Sequence, residues 1–160
     1  METHNTKIDI AKGKREKLIA ILNQRLADAS DLKSQAKQAH WNVKGMNFIA
    51  LHELFDQVAT EVDTFVDDIA ERVTTLGGTA MGTVRLAAGN SSLEEYPHEI
   101  TDGSAHVDAL SSVLADFGKK VRKNIDEAEE LGDADTADIF TGISRSIDKL
   151  LWFVEAHIQA

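Results

Sequence analysis

Residues 51–76 read "LHELFDQVATEVDTFVDDIAERVTTL", and their apolar side chains recur three and four positions apart. This spacing places one apolar stripe along a helix of about seven turns. The stripe consists of Leu51, Phe55, Val58, Val62, Phe65, Ile69, Val73 and Leu76. Gly77 and Gly78 follow directly and predict the end of the helix. An amphipathic helix of this length has to bury its stripe against other helices, so the stretch predicts a helical bundle.

A turn separates this helix from one that precedes it. The preceding helix carries its own apolar stripe and ends near His40, and Gly45 and Asn47 supply a turn and a helix cap. In the other direction, residues 77–103 hold five of the ten glycines and the only proline of the chain. This segment therefore predicts a long crossover, with a short helix at residues 93–96.

Two further helices follow the crossover. Asp102 or Ser104 is expected to cap the third helix, Gly132 interrupts the pattern, and Asp133 or Asp135 is expected to cap the fourth. Short first and third connections with one long middle connection predict an all-α fold, a ferritin-like four-helix bundle with a long crossover between the second and third helices. We assign residues 15–160 to this bundle and residues 1–14 to a flexible basic N-terminal tail.

The composition narrows the classes of function. The chain has 160 residues and no cysteine, so disulfides and thiolate metal sites are excluded. Its formal net charge of −10 disfavours a general nucleic-acid surface and favours cations as partners. It contains no stretch of about 18 apolar residues that would cross a membrane. We therefore expect a cytoplasmic protein without a membrane partner.

The helix at residues 51–76 also carries a polar stripe, formed by His52, Asp56, Asp63, Asp67 and Glu71. On a helical wheel these residues span about 100°, and their centre lies roughly 140° from that of the apolar stripe. The polar stripe is therefore expected to face out of the bundle. A metal site buried between the four helices would instead place its ligands on the apolar face.

Length limits what this stripe can do within one chain. His52 and Asp67 lie fifteen residues apart, or about 22 Å along a straight helix, so they cannot bind one metal ion together. Two copies packed antiparallel about a twofold axis would bring His52 and Asp56 of one copy to Asp67 and Glu71 of the other. His40, just across the turn, would join the His52 end. The sequence thus predicts two equivalent sites in each dimer.

Two interpretations of the polar stripe remain open. Charged pairs on an exposed helix face are usually solvated surface, which would make the protein a purely structural bundle. Alternatively, the run of carboxylates repels itself and bound cations relieve the repulsion. Two histidines with three carboxylates suit iron(II), and zinc, cobalt or manganese are chemically allowed at the same sites. Asp63 is expected to be solvated or to orient a ligand.

Four stretches together resemble one bacterial family. They are "AHWNVKGMNFIALHELFD" at 39–56, "DDIAERVTTLGGTAMGT" at 67–83, "DTADIFT" at 135–141 and "SIDKLLWFVEAHI" at 146–158. They resemble the Dps family, the DNA-protection-during-starvation proteins or mini-ferritins, across residues 15–158. The family's metal-ligand pattern matches His40, His52, Asp56, Asp67 and Glu71. The resemblance implies a dodecameric cage that oxidises iron(II), preferably with hydrogen peroxide, at dimer-interface ferroxidase sites, stores the iron(III) and protects DNA.

The resemblance also implies roles for residues outside the ligand set. Trp41 would lie near the irons and supply an electron, although packing is the ordinary role of a tryptophan. Glu127 and Asp138 would line acidic pores that draw iron inward. If the protein is instead a nucleoid-associated DNA-binding protein for which iron is secondary, the basic tail would contact DNA. Its contact residues would be Lys7, Lys12, Lys14 and Arg15.

Overall fold

The computed structural model describes residues 3–159, and five helices account for most of them. Four are long and one is short. They are α1 (Lys12–Asn42), α2 (Phe48–Thr75), α3 (Val84–Asn90), α4 (Gly103–Glu130) and α5 (Ala134–Glu155). α1 packs along α2, α4 packs along α5, and the short α3 lies against α1. The predicted all-α bundle with a long crossover between its second and third long helices is confirmed.

The apolar stripe of α2 lies in the core as predicted. Phe55, Val58, Val62, Ile69 and Val73 are each fully buried. They meet apolar side chains of the three other long helices in one continuous core. Because this stripe points inward along the whole of α2, the opposite face of the helix is left at the surface.

The short helix of the crossover is not where the sequence predicts it. It spans Val84–Asn90, whereas residues 93–96 form no helix. The carboxylate of Asp28 accepts a hydrogen bond from the Ser92 backbone N–H at 2.7 Å, and Lys120 donates to the Ser92 carbonyl at 2.8 Å. These side chains satisfy the backbone of the segment without helical bonds. Tyr96 follows and inserts into the core, with 5% of its surface exposed.

The helix ends follow the expected turn chemistry in most places. Asp102 caps α4 by accepting the backbone N–H of Ser104 at 3.0 Å, and Asp133 caps α5 by accepting that of Thr136 at 3.3 Å. Gly132 separates the two helices with φ of +79°, a conformation that favours glycine. Asn47, by contrast, precedes α2 without a capping hydrogen bond from its side chain.

The described part of the N-terminal tail is held against the bundle. The His4 backbone N–H donates to the Gly77 carbonyl at 2.7 Å. Arg15 is buried inside α1 and donates to the carbonyls of Ile10 at 3.1 Å and Leu76 at 2.7 Å. α1 begins at Lys12, three residues earlier than the predicted boundary at residue 15.

Among residues 3–159, no helix combines the length and the apolar character that crossing a bilayer requires.

Candidate metal centre

His40 and His52 meet at the corner where α1 turns into α2. His40 lies in the last turn of α1, and His52 lies near the start of α2. Each ring places its Nδ1 on the backbone carbonyl of the other residue, at 2.7 Å for His40 and 2.8 Å for His52. The rings are stacked, with centroids 3.7 Å apart and planes 22° from parallel. The two histidines therefore form one reciprocal pair rather than two separate surface residues.

These hydrogen bonds fix how each imidazole can act. A carbonyl oxygen only accepts, so Nδ1 of each ring carries the hydrogen and donates it. The neutral ring then keeps a lone pair on Nε2, which is the form that binds metal ions. His40 also offers a carbonyl from the last turn of α1, where helical partners are lacking, and His52 satisfies it.

Asp56 lies one helical turn after His52 on the same face of α2. Its carboxylate is half-buried and accepts a hydrogen bond from Lys37 of α1 at 2.6 Å. This hydrogen bond is the main reason that the pKa of Asp56 lies below its ordinary value. Asp56 is therefore ionised beside the histidine pair, and one of its carboxylate oxygens forms an ion pair with Lys37.

Lysines of α1 partly relieve the repulsion that the sequence predicts among the carboxylates of α2. Lys33 pairs with Asp63 at 2.5 Å, just as Lys37 pairs with Asp56. Sequence reasoning missed these partners because it treated α2 alone. The signal was present, since Lys33 and Lys37 stand four residues apart and so share one face of the neighbouring helix.

Asp67 and Glu71 lie at the other end of the polar stripe. Both are exposed, and Asp67 stands about 22 Å from His52 along α2. Glu71 borders a groove between α2 and α5 that Asp138 also lines. Within residues 3–159, no three histidine or acidic side chains come close enough to hold a metal ion in a single chain. Each end of α2 thus carries only part of the predicted ligand set.

Apolar side chains surround the histidine pair on the surface. Trp41 is 66% exposed and Ile49 61%, while Met46 is fully exposed and Phe48 partly so. We call these four residues the corner patch. Large apolar residues clustered in this way are typical of surfaces that another protein covers. Packing within the core of its own chain is excluded for Trp41, whose ring instead lies 5.7 Å from the Lys37 ammonium.

The two predicted pore residues differ in their surroundings. Partial burial acts to raise the pKa of Glu127, but hydrogen bonds from Asn124 and Lys123 outweigh it and lower the pKa. The Asn124 contact is 2.6 Å and the Lys123 contact 3.1 Å. Asp138 is exposed on α5. Of the two carboxylates, Asp138 is the one whose position leaves it open to a passing cation.

The residues predicted to contact DNA also differ in their surroundings. Lys7, Lys12 and Lys14 are exposed, although Lys12 stands 3.9 Å from the carboxylate of Glu16. Arg15 is buried, and its guanidinium is bound to two backbone carbonyls. The structure therefore corrects the assignment of Arg15, which stabilises the fold and is not presented to a phosphate.

Sequence reasoning also missed a buried pair behind the corner. The phenol of Tyr96 lies 2.7 Å from Nδ1 of His106, and both side chains are almost fully buried. Tyr96 is in the crossover and His106 in α4, and neither stands in a recognisable motif. Only the tertiary structure brings them together.

Comparison with known proteins gives a consistent result. Residues 19–160 match the Ferritin family, described as a ferritin-like domain. The chain is 47% identical over 159 residues to the DNA protection during starvation protein of Agrobacterium fabrum, covering 99% of this chain and 98% of that protein. It is 33% identical over 140 residues to the protein of the same name from Mycolicibacterium smegmatis, covering 88% of this chain and 76% of that one. Its fold is similar to that of DpsA14 from Streptomyces coelicolor, with a TM-score of 0.94, 34% identity, and coverage of 99% of this chain and 94% of that one.

Proposed function

The chain belongs to the Dps family of ferritin-like proteins, and on that premise we propose that it is a ferroxidase and iron-storage cage that protects DNA from oxidative damage. Iron(II) is its substrate and hydrogen peroxide its preferred oxidant. Iron(III) is stored inside a dodecamer built from dimers. Zinc, cobalt and manganese are rivals for the same ligands.

One observation carries this proposal. His40 and His52 hold each other in the tautomer that leaves Nε2 free to bind a metal, and the ionised Asp56 stands beside them. A purely structural pair of surface histidines would not need both rings to be fixed through their Nδ1 atoms. This arrangement supports a half-site that further carboxylates would complete.

A second copy of the chain can supply those carboxylates. Asp67 and Glu71 lie on the same polar stripe as His52, at the opposite end of α2. A twofold axis across this stripe would set Asp67 and Glu71 of one copy against His52 and Asp56 of the other, and would do so twice. The exposed corner patch supports such a contact, because a second copy would remove it from water.

The donor set explains the chemistry. Neutral imidazoles and carboxylates bind iron(II), and the carboxylate charge favours the iron(III) product. Hydrogen peroxide takes two electrons, so two iron(II) ions at one site reduce it to water without releasing a radical. Two protons are consumed, and two iron(III) ions and two waters are formed. Trp41, next to His40, is the candidate electron donor at the surface of this site.

The acidic surface accounts for the entry of iron into the cage. The formal charge of −10 for each chain attracts cations to the cage. Asp138 is exposed at the start of α5 and is the better candidate for a pore residue, whereas Glu127 is occupied by Asn124 and Lys123. In this scheme DNA is protected because iron(II) and peroxide are both removed.

Direct DNA binding as a nucleoid-associated protein is the less favoured alternative. A dodecamer would carry a formal charge on the order of −120, which repels phosphate. Arg15 is committed to the fold, which leaves Lys7, Lys12 and Lys14 as the exposed cations of this segment. Any such binding would require low salt.

The decisive experiment adds iron(II) to the purified protein without oxygen and then adds hydrogen peroxide or air. Iron(III) absorbance and the iron that co-elutes on size exclusion are followed for the wild type and for Asp67→Ala/Glu71→Ala. Asp63→Ala is the matched control, because Asp63 shares the polar stripe but pairs with Lys33. We expect fast oxidation and retained iron in the wild type and the control, and loss of both in the double variant. Wild-type oxidation no faster than in buffer would refute the ferroxidase.

A further inference from the structure

A buried phenol and a buried imidazole form a hydrogen-bonded pair behind the metal centre. Tyr96 is 5% exposed and His106 is 1% exposed. The Tyr96 hydroxyl lies 2.7 Å from Nδ1 of His106, and the two rings are 19° from parallel with centroids 6.0 Å apart. Tyr96 is the only tyrosine in the chain. None of the chemistry proposed above uses either residue.

Burial fixes the protonation of the pair. It raises the pKa of the Tyr96 phenol and lowers the pKa of the His106 imidazole, so both groups are neutral. The phenol therefore donates its hydrogen to Nδ1, and the hydrogen of the ring sits on Nε2. His106 offers a basic lone pair, already aimed at the one proton that the phenol can lose.

Burial is the largest influence on His106 and lowers its pKa, but polar groups beside the ring partly oppose this effect. Nε2 has no hydrogen-bond partner among residues 3–159. The backbone carbonyls of Ile100 and Asn42 lie beside the ring and act to raise its pKa, as does the charge of Asp102. These groups stabilise an imidazolium more than a neutral ring.

The pair also lies close to the metal centre. The Phe55 ring lies 6.4 Å from the His106 ring, and Phe55 follows His52 by three residues on α2. Asn42, whose carbonyl flanks His106, follows His40 by two residues at the end of α1. His106 therefore lies close behind the histidine corner, and the side chains of both Tyr96 and His106 are almost fully buried.

We propose that Tyr96 is a one-electron donor to the iron site and that His106 accepts its proton. The donor acts when peroxide meets a site that holds a single iron(II) ion, so that only one of the two required electrons is at hand. This inference rests on the proposed function, since iron(II) and peroxide are the reactants. It differs from a role for Trp41, which is exposed and has no proton acceptor among its described contacts.

Electrons and protons are conserved in this step. One iron(II) and one hydrogen peroxide give iron(III), one hydroxide and one oxidising equivalent at the level of a hydroxyl radical. Tyr96 supplies an electron that reduces this equivalent to a second hydroxide, and the phenolic proton moves to Nδ1 of His106. The O–H bond of Tyr96 breaks, an N–H bond forms on His106, and a neutral tyrosyl radical and an imidazolium remain in the core.

The test uses freeze-quenched electron paramagnetic resonance on the full-length protein. Iron(II) is added without oxygen at one ion for each predicted site, followed by hydrogen peroxide. We expect a tyrosyl radical in the wild type, loss of that signal in Tyr96→Phe, and loss in His106→Asn, because asparagine accepts the phenol's hydrogen bond but cannot take its proton. A spin trap should report more escaped hydroxyl radical in both variants. Trp152→Phe is the matched control, because Trp152 is exposed on α5 and is neither of the proposed electron donors; this variant should keep the tyrosyl signal.

A second arm separates this inference from the ferroxidase. Iron-free protein is oxidised by laser flash with ruthenium tris(bipyridine) and an added electron acceptor, a method that needs no metal site. A Tyr96 radical that His106→Asn abolishes supports the redox pair even if iron oxidation fails in the experiment above. No radical in either arm, or a radical of equal yield in His106→Asn, overturns the inference. Normal iron(III) formation with a flash-induced radical but none after peroxide overturns electron donation to the iron site.

Discussion

Two histidine pairings, one at the surface and one in the core, both form their hydrogen bonds through Nδ1. They leave Nε2 in opposite protonation states. At the corner, Nδ1 of His40 and of His52 donates to a backbone carbonyl, and Nε2 keeps its lone pair. Beneath it, Nδ1 of His106 accepts from the Tyr96 phenol, and Nε2 keeps its hydrogen. The partner of Nδ1 therefore decides which imidazole is a metal ligand and which is a proton acceptor.

Burial reinforces the difference. His40 and His52 are only partly buried, so an ion from solvent can reach them. His106 is enclosed, and desolvation keeps it neutral. A neutral, enclosed imidazole beside a phenol is suited to moving one proton over one hydrogen bond. The same residue type thus serves binding at the surface and proton transfer in the core.

The largest effect is expected from removing a ring of the surface pair. His52→Ala deletes one metal ligand, together with the hydrogen bond that its ring donates to the His40 carbonyl; the His40 ring keeps its own bond to the backbone carbonyl of residue 52. Loss of an orienting partner alone typically lowers metal affinity or activity by about 10- to 100-fold. We therefore expect peroxide-dependent iron(II) oxidation in His52→Ala to fall at least about 100-fold, toward the rate in buffer.

The matched control for that change is His98→Ala. His98 is exposed and pairs with Glu95, at 2.8 Å, in the crossover. Stopped-flow absorbance at one fixed salt concentration should show wild-type oxidation rates for this variant. Equal losses in His52→Ala and His98→Ala would mean that histidine removal acts through stability rather than through the metal centre.

Removing the hydrogen bond between Tyr96 and His106 should lower the stability of the protein. Tyr96→Phe leaves Nδ1 of His106 without a donor inside the core, and an unsatisfied buried polar group costs about 1–3 kcal/mol. We expect the free energy of unfolding to fall by that amount, measured by denaturant unfolding at one fixed protein concentration. The rate of iron oxidation with two iron(II) ions for each site should not change. A fall in that rate would place Tyr96 in the main reaction instead.

Acid should lower the stability of the protein through His106 of the same buried pair. Burial holds the pKa of His106 below its ordinary value of 6.5. Between the lowered pKa and 6.5, the unfolded chain binds a proton at this residue and the folded chain does not. Stability is therefore present above pH 6.5 and is lost as the pH falls toward the lowered pKa, by at most about 1.4 kcal/mol for each pH unit. His106→Asn should flatten the stability profile in this window. Asp102 and Asp133, whose pKa values are lowered, act at a lower pH.

The sequence predicted those parts that depend on periodicity. The apolar positions of α2 repeat every three or four residues, and this repeat determines both its buried face and the outward direction of the polar stripe. The meeting of His40 with His52 was also predictable, because a short turn joins two antiparallel helices. The reciprocal hydrogen bonds were not, because they depend on ring orientation rather than on spacing.

Contacts between distant elements account for what the sequence did not reveal. Lys37 reaches Asp56 from a neighbouring helix, and Tyr96 reaches His106 from an irregular crossover. Arg15 looked like part of a basic tail, yet its guanidinium is bound to the carbonyls of Ile10 and Leu76. No local pattern distinguishes a buried arginine of this kind from an exposed one, since the acceptors are backbone atoms.

The smallest expected effect concerns Lys37, which occupies the carboxylate that the metal centre needs. Its ammonium lies 2.6 Å from Asp56, so an arriving cation must displace it. Exposed ion pairs are weak, and their removal changes a binding constant only a little. Lys37→Met should therefore tighten the binding of the first metal ion by roughly two- to fivefold, measured by anaerobic titration with cobalt(II) as a spectroscopic probe. Lys33→Met is the control, because Lys33 pairs with Asp63 on the same face. Weaker cobalt binding in Lys37→Met would show that the lysine supports the site, and the contrast between an open surface pair and a closed core pair would then need revision.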